Sequence, residues 1–111
     1  MQKMTLREVC NMVGVSRRAI QGYEDAGLVV SSGKNKYGYL LYDGAAVEKI
    51  HCIKQYQEFG FTVKEIKVLM TASEDAYVEM ISNKVEIMKA QLKSLVANIE
   101  VAEKMIAEKQ R

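Results

Sequence analysis

Proline is absent from this chain of 111 residues, histidine occurs once, cysteine twice, and the net charge is only +2. The lone His51 leaves no Ser/His/Asp arrangement for nucleophilic catalysis. There is no glycine-rich phosphate loop, and Glu58 and Glu65 form no convincing acid–base pair. The chain therefore offers no catalytic residues and no cofactor site, and is not expected to be an enzyme. Cys10 and Cys52 lie far apart, each in a predicted helix, and read as two free buried thiols. His51 adjoins Cys52, but neighbours on a helix point in different directions, so no metal site is expected. No apolar run approaches the roughly 18 residues needed to span a membrane. Arg7 and Glu8 interrupt the N-terminus before a signal-peptide core can develop. The expectation is a cytoplasmic protein without a membrane partner.

What is present is a hydrophobic fraction of 49%, enough for a packed core. The length suits one small domain with an extension. Charge is unevenly spread. Residues 1–42 carry six Lys/Arg against three Asp/Glu, a net of +3. Residues 43–75 carry four against six, a net of −2, and residues 76–111 carry six against five, a net of +1. The positive end is where a segment meeting phosphates would lie. The excess is modest, so affinity per monomer should be weak and dimerisation should matter.

Within that positive end, Thr5 with Glu8 three residues on has capping-box spacing. Leu6, Val9, Cys10 and Val13 then recur on one helical face, and Gly14 ends the helix. Ser16 caps a second helix from about Arg17 to Ala26, stopped by Gly27. Ile20, Tyr23 and Ala19 face inward, while Arg17, Arg18, Gln21 and Glu24 fall on the outer side. Gly22 is unusual in a helix interior, costing roughly 1 kcal/mol against Ala. Two short helices hinged at a glycine have the layout of a helix-turn-helix, whose second helix enters the DNA major groove.

Leu28-Val29-Val30 and Tyr37-Gly38-Tyr39-Leu40-Leu41-Tyr42 flank a polar turn, Ser31 to Lys36, and predict a hairpin. Beside a helix-turn-helix such a hairpin is a wing, with Lys34 and Lys36 at its tip. Asp43 caps a third helix over 44–58 with Val47, Ile50, Ile53 and Tyr56 or Gln57 on successive turns, and Gly60 stops it. Thr62 with Glu65 makes a second capping box for a fourth helix bearing Val63, Ile66, Leu69 and Met70.

The remainder predicts one helix from about Ala76 to Lys109, free of proline and glycine. Val78, Ile81, Val85, Met88, Leu92, Leu95, Ile99, Ala102 and Ile106 recur at alternating steps of 3 and 4, a coiled-coil seam. Such a helix, roughly 50 Å long, would expose its seam if alone. A second copy of the chain is the simplest partner. Ile87 and Val101 lie off the seam and suggest extra contacts.

Each candidate DNA contact has an ordinary alternative. Arg17 and Arg18 are either solvated charges or groove and phosphate contacts, and Arg can grip guanine with two hydrogen bonds. Gln21 either meets water or reads a base edge, with adenine its natural partner. Tyr23 is divided between the core and a phosphate contact through its hydroxyl. Tyr37 and Tyr39 either pack on the head or touch the DNA backbone. Lys34 and Lys36 are phosphate partners or plain surface. Lys54 and Thr62 are further candidates for backbone contacts.

Taken in order, Leu6-Arg7-Glu8-Val9, Gly14-Val15-Ser16, Ile20, Tyr23-Glu24, Gly27-Leu28, Gly38-Tyr39, Tyr42-Asp43, Gly60-Phe61-Thr62 and Glu65-Ile66 resemble the MerR family of bacterial transcription regulators. The resemblance covers residues 5–70 in detail and 76–109 in architecture. It implies a mainly α fold: a winged helix-turn-helix domain with a small β-hairpin wing, followed by a long coiled-coil dimerisation helix. Residues 1–70 are the expected DNA-binding domain, 71–75 a linker and 76–111 the dimerisation helix. It further implies a homodimer joined by an antiparallel coiled coil, bound to inverted repeats in double-stranded promoter DNA, with RNA polymerase a candidate partner and the nucleoid the location. Ser16, Arg17, Arg18, Gln21, Tyr23, Lys34, Lys36, Tyr37 and Tyr39 become the candidate DNA contacts.

Two departures stand out. The family usually carries Arg-Tyr-Tyr-Glu where this chain has Gln21-Gly22-Tyr23-Glu24, and an Arg after Gly-Tyr where it has Leu40. Arg17 and the wing lysines are the candidate replacements. Metal sensors of the family place cysteines near the end of the long helix, and no Cys follows Cys52. Drug sensors carry a large C-terminal domain, and the sequence stops at Arg111. A regulator without a built-in sensor is the expectation. The alternatives are a dimerising adaptor or dominant-negative partner with weakened DNA binding, and an architectural accessory protein.

Overall fold

A computed structural model describes residues 2–111. The order of elements is β1 (Met4–Thr5), α1 (Leu6–Val13), α2 (Arg17–Asp25), β2 (Leu41–Tyr42), α3 (Gly44–Glu58), α4 (Val63–Met70) and α5 (Glu74–Lys109). The chain divides between Thr71 and Ala72 into two units.

Local chemistry sets the ends of nearly every helix in the first unit. Thr5 accepts from the Glu8 N–H while the Glu8 carboxylate accepts from the Thr5 N–H, a complete capping box. Thr62 and Glu65 repeat it for α4. Ser16 caps α2 through the Ala19 N–H, and Asp43 caps α3 through the Ala46 N–H.

The C-termini are equally explicit. At the end of α2, Leu28 N–H donates to the Tyr23 carbonyl and Gly27 N–H to that of Glu24, both at 2.9 Å. Gly27 has φ +76°, so this is a Schellman motif in which the left-handed position falls on glycine. The end of α3 repeats it: Phe61 N–H donates to the Tyr56 carbonyl and Gly60 N–H to that of Gln57. There the Tyr56 and Phe61 rings meet edge to face at 6.3 Å, supplying the apolar contact that accompanies the motif.

The core of this unit is apolar throughout. Val9 and Val13 of α1, Ile20 and Tyr23 of α2, Val47, Ile50 and Ile53 of α3, and Ile66 and Leu69 of α4 are buried together with Tyr42 and Phe61. The expected faces of all four helices are thereby met, although Leu6 and Cys10 are only half-buried and Met70 is exposed.

The hairpin differs from its expected register. Val29 belongs to the core and takes no part in a strand. The wing arms are instead 32–35 and 39–41, joined by Ser32 N–H to the Leu41 carbonyl at 2.7 Å and Leu41 N–H to that of Gly33 at 2.8 Å. Its outgoing arm, β2, pairs antiparallel with β1, Met4 opposite Tyr42 and Thr5 opposite Leu41. That pairing between residues nearly forty apart leaves no local signal, and β1 was not expected. Lys36 lies in the tip turn, whereas Lys34 sits lower, bridged to Leu40.

Two further expectations are corrected. Cys10 and Cys52 are free thiols, but Cys10 is only half-buried and Cys52 is exposed. A residue of α3 that points away from the core faces water whatever its apolarity. The long helix starts at Glu74 and not at Ala76, because Ser73 accepts from the Ala76 N–H and caps it there, shortening the expected 71–75 linker.

The second unit is α5, 36 residues of unbroken helix, hence about 54 Å long. None of its residues is buried. Leu92, Leu95, Ile99 and Ile106 are 62%, 57%, 49% and 58% exposed. Off the seam, Ile87 and Val101 are about half exposed.

Candidate nucleic-acid interface

The reading face of the head is built from α2. Arg18, Gln21, Gly22 and Asp25 fall at i, i+3, i+4 and i+7, which puts them on one side of the helix. All four are exposed, while Ile20 and Tyr23 on the other side are buried. Arg17 and Arg18 occupy the first turn, and neither guanidinium has a hydrogen bond or ion pair with any described residue. Ser16, just before them, accepts the Ala19 N–H at 3.0 Å. Its hydroxyl hydrogen stays available to donate. An exposed helix start with free N–H groups and two arginines is suited to a phosphate.

The joint that sets the angle of α2 depends on Gly14. Its φ is +80°, and its N–H donates to the Cys10 carbonyl at 2.9 Å. A Cβ there would also stand 3.1 Å from the Lys54 Nζ. That ammonium donates to the Val13 carbonyl at 2.9 Å and pairs with Glu58 at 3.7 Å. Lys54 thus neutralises the carbonyl end of α1. Its expected role against DNA gives way to this contact, which ties α3 to the hinge.

Tyr23 is resolved in favour of the core. Its ring is buried, its hydroxyl donates to Gln57 Oε1 at 2.6 Å, and burial pushes its phenol above the ordinary value. The hydroxyl that was a candidate phosphate contact instead bolts α2 to α3. Glu24 is likewise not a free outer residue, since the buried Tyr42 donates its hydroxyl to Glu24 Oε1. Burial first, and then that hydrogen bond, pushes the Tyr42 phenol far above its usual range. This contact joins α2 to the root of the wing.

At the wing tip Asn35 Oδ1 accepts from both the Tyr37 N–H at 2.9 Å and the Tyr39 N–H at 3.0 Å. The side chain replaces a backbone acceptor inside the turn, and Gly38 completes it at φ +83°. Tyr37 and Tyr39 project outward, 70% and 64% exposed, with ring centroids 6.4 Å apart. Lys36 Nζ sits 5.1 Å from the Tyr37 ring centroid, a cation–π contact. Neither tyrosine is packed into the core of the head.

Between α2 and the wing lies a groove of about 640 Å³ lined by Thr5, Leu6, Arg7, Arg17, Gly38, Tyr39 and Leu40. Arg7 is the member that sequence reasoning missed. The β1–β2 pairing brings the start of α1 beside the wing, and no local pattern encodes that. An exposed Arg two residues after the capping Thr5 was the one available hint. The arrangement can offer arginines, lysines and amide groups to an anionic, groove-bearing surface.

A helix-turn-helix with a hairpin wing defines a winged-helix head. Residues 4–73 match the family described as "MerR HTH family regulatory protein", and residues 47–111 match a second description, "MerR, DNA binding". The chain belongs to the MerR family of helix-turn-helix regulatory proteins. Over 68 residues, 61% of this chain, it is 35% identical to the mercuric resistance operon regulatory protein of Bacillus cereus. It spans about half of that relative, 52% of its length. Among solved structures, a MerR family regulator from Bacillus cereus superposes with a TM-score of 0.81 at 17% identity, covering 99% of this chain and 84% of that one. HiNmlR, a MerR family regulator lacking the sensor domain and bound to promoter DNA, superposes with a TM-score of 0.74 at 16% identity, covering 96% and 89%. At such identities the structural likeness establishes the fold.

Proposed function

We propose that the chain regulates transcription as a homodimer that reads an inverted repeat in promoter DNA, on the bacterial nucleoid. The first turn of α2 carries this reading. Arg17 and Arg18 are exposed there without a protein partner, and Arg17 lines the groove shared with the wing. Arg18 and Gln21 enter the major groove, while Arg7, Arg17, Lys34 and Lys36 meet phosphates on either side. Tyr37 and Tyr39 touch the DNA backbone from the wing, and Ser16 donates at the helix start. Val78, Ile81, Val85, Met88, Leu92, Leu95, Ile99, Ala102 and Ile106 form the seam between the two copies. In support, no residue of α5 is buried, and Val78, Leu92, Leu95, Ile99 and Ile106 are exposed. Pairing sets two α2 helices at a fixed spacing, which is what an inverted repeat requires.

The test is a mobility shift of the full chain on the DNA upstream of its own gene, titrated with salt. A shift at low salt that weakens steeply as salt rises is expected. Absence of any shift at low salt would overturn this reading. In that event the dimerising adaptor remains, a reading favoured by Gln21-Gly22 and Leu40 standing where the family carries arginine and tyrosine.

A further inference from the structure

One contact on the exposed face of α2 does nothing to hold the head together. Gln21 Nε2 donates to Asp25 Oδ1 at 3.0 Å, one turn further along the helix, and both residues are exposed. Asp25 is also an odd residue for a surface that meets phosphates. Its charge opposes them and lies on the same face as Arg18. The amide of Gln21 is asymmetric, with an oxygen that only accepts and a nitrogen that only donates. Left free on an exposed helix, it can turn either end toward a base. The carboxylate of Asp25 accepts only, so it selects the nitrogen end and turns the oxygen away from itself. The Gln21 oxygen has no partner among the described residues.

We infer that Asp25 is a positioning residue for base readout: it orients the Gln21 amide so that its oxygen leads into the major groove and selects a base with an exocyclic amine there. Adenine N6 and cytosine N4 are such donors, whereas guanine O6 and thymine O4 are acceptors that repel a leading oxygen. Adenine benefits further, because the second N–H of the amide can reach N7. The charge of Asp25 lowers affinity for every sequence, and the fixed amide gains discrimination at one position. This rests on the DNA-reading face proposed above.

The experiment is selection of bound duplexes from a random pool, using the full chain in four forms: native, Gln21→Ala, Asp25→Ala and Asp25→Asn. Gln21→Ala identifies the base position that residue reads, since preference is lost there. At that position the native chain should prefer adenine or cytosine by about tenfold over guanine or thymine. Asp25→Ala should abolish most of this preference while tightening binding to random duplex. Asp25→Asn removes the charge and offers the Gln21 amide a donor as well as an acceptor. It should tighten non-specific binding equally and weaken the preference, because either end of the Gln21 amide can then face it. A purely electrostatic Asp25 would tighten binding in both variants with the preference at that position unchanged, and a purely helix-stabilising one would leave both the preference and the non-specific affinity unchanged. Either result overturns the inference but leaves the DNA-binding reading standing, as does a native preference for guanine or thymine. Failure of every form to retain any duplex overturns both.

Discussion

In the head, Val9, Ile20, Ile50, Ile53, Ile66 and Leu69 are shut away from solvent by one another, whereas in α5 Leu92, Leu95, Ile99 and Ile106 stand about half exposed or more. The residue types are the same, and the difference lies in how the chain returns on itself. The head folds back four times within 71 residues, so each short helix finds a face to cover. Helices of 8 or 9 residues, such as α1, α2 and α4, would be marginal alone and rely on that cover. The long helix is continuous for 36 residues, and none of them is buried. Its backbone is satisfied locally, and its apolar stripe stays uncovered at Leu92, Leu95, Ile99 and Ile106. One half of the molecule is thus self-sufficient in burial and the other is not.

Substitutions can break this contrast at either end. The largest effect is expected from Leu92→Asp, which puts a charge in the middle of the seam. Light scattering should report a monomer, and DNA affinity should fall by about 10²–10⁴-fold as the second half-site is lost. A Leu92→Asp protein that remains dimeric would show that the seam lies on another face. Ile50→Ala attacks the opposite side of the comparison. Ile50 is fully buried, so the head should lose roughly 2–5 kcal/mol in denaturant unfolding. The same truncation at Ile106 should cost far less in a dilute, monomeric sample.

Arg18→Ala leaves both halves folded and tests only the exposed face of α2. Affinity for the selected duplex should drop roughly 10- to 100-fold with the dimer intact. Unchanged affinity would place the groove contact elsewhere.

Acid should act on the head through its caps. Hydrogen bonds from the Ala46 N–H and then Ser32 hold the Asp43 carboxyl below its ordinary value, and those from the Thr5 N–H and hydroxyl do the same for Glu8. A depressed folded-state value means stability present above the unfolded value, about 3.9 for Asp, and lost as pH falls through the folded one. Thermal melts of the head should therefore drop below about pH 4, and Asp43→Asn, which can still cap α3, should flatten that slope.

The smallest effect is a gain. A Cβ on Gly22 meets nothing within 4 Å, so Gly22→Ala should stabilise the head by roughly 0.5–1 kcal/mol. No stabilisation would mean that the helix bends locally at that glycine.

Much of this molecule was legible in the chain itself. Thr5, Ser16, Asp43 and Thr62 marked helix starts, and Gly14, Gly27 and Gly60 marked ends, because a cap is satisfied within about four residues. The apolar stripe of α5 was equally legible, since its period needs only the helix. The candidate site was half legible. The exposed face of α2 followed from spacing, but the fate of individual side chains did not. Tyr23 could be assigned to core or phosphate with equal justice until Gln57 was found beside its hydroxyl. Lys54 looked like a surface cation until Val13 was found beneath it.

The residues alone set where helices begin and end and which faces are apolar, all consequences of bonds and periodicities spanning a turn or two. Folding of the whole head is what pairs β1 with β2, brings Arg7 to the groove, and gives Tyr23, Glu24, Tyr42 and Lys54 their partners within the fold. Those contacts join residues 18 to 41 positions apart, where the partner is chosen by packing of the whole core and no local rule can name it.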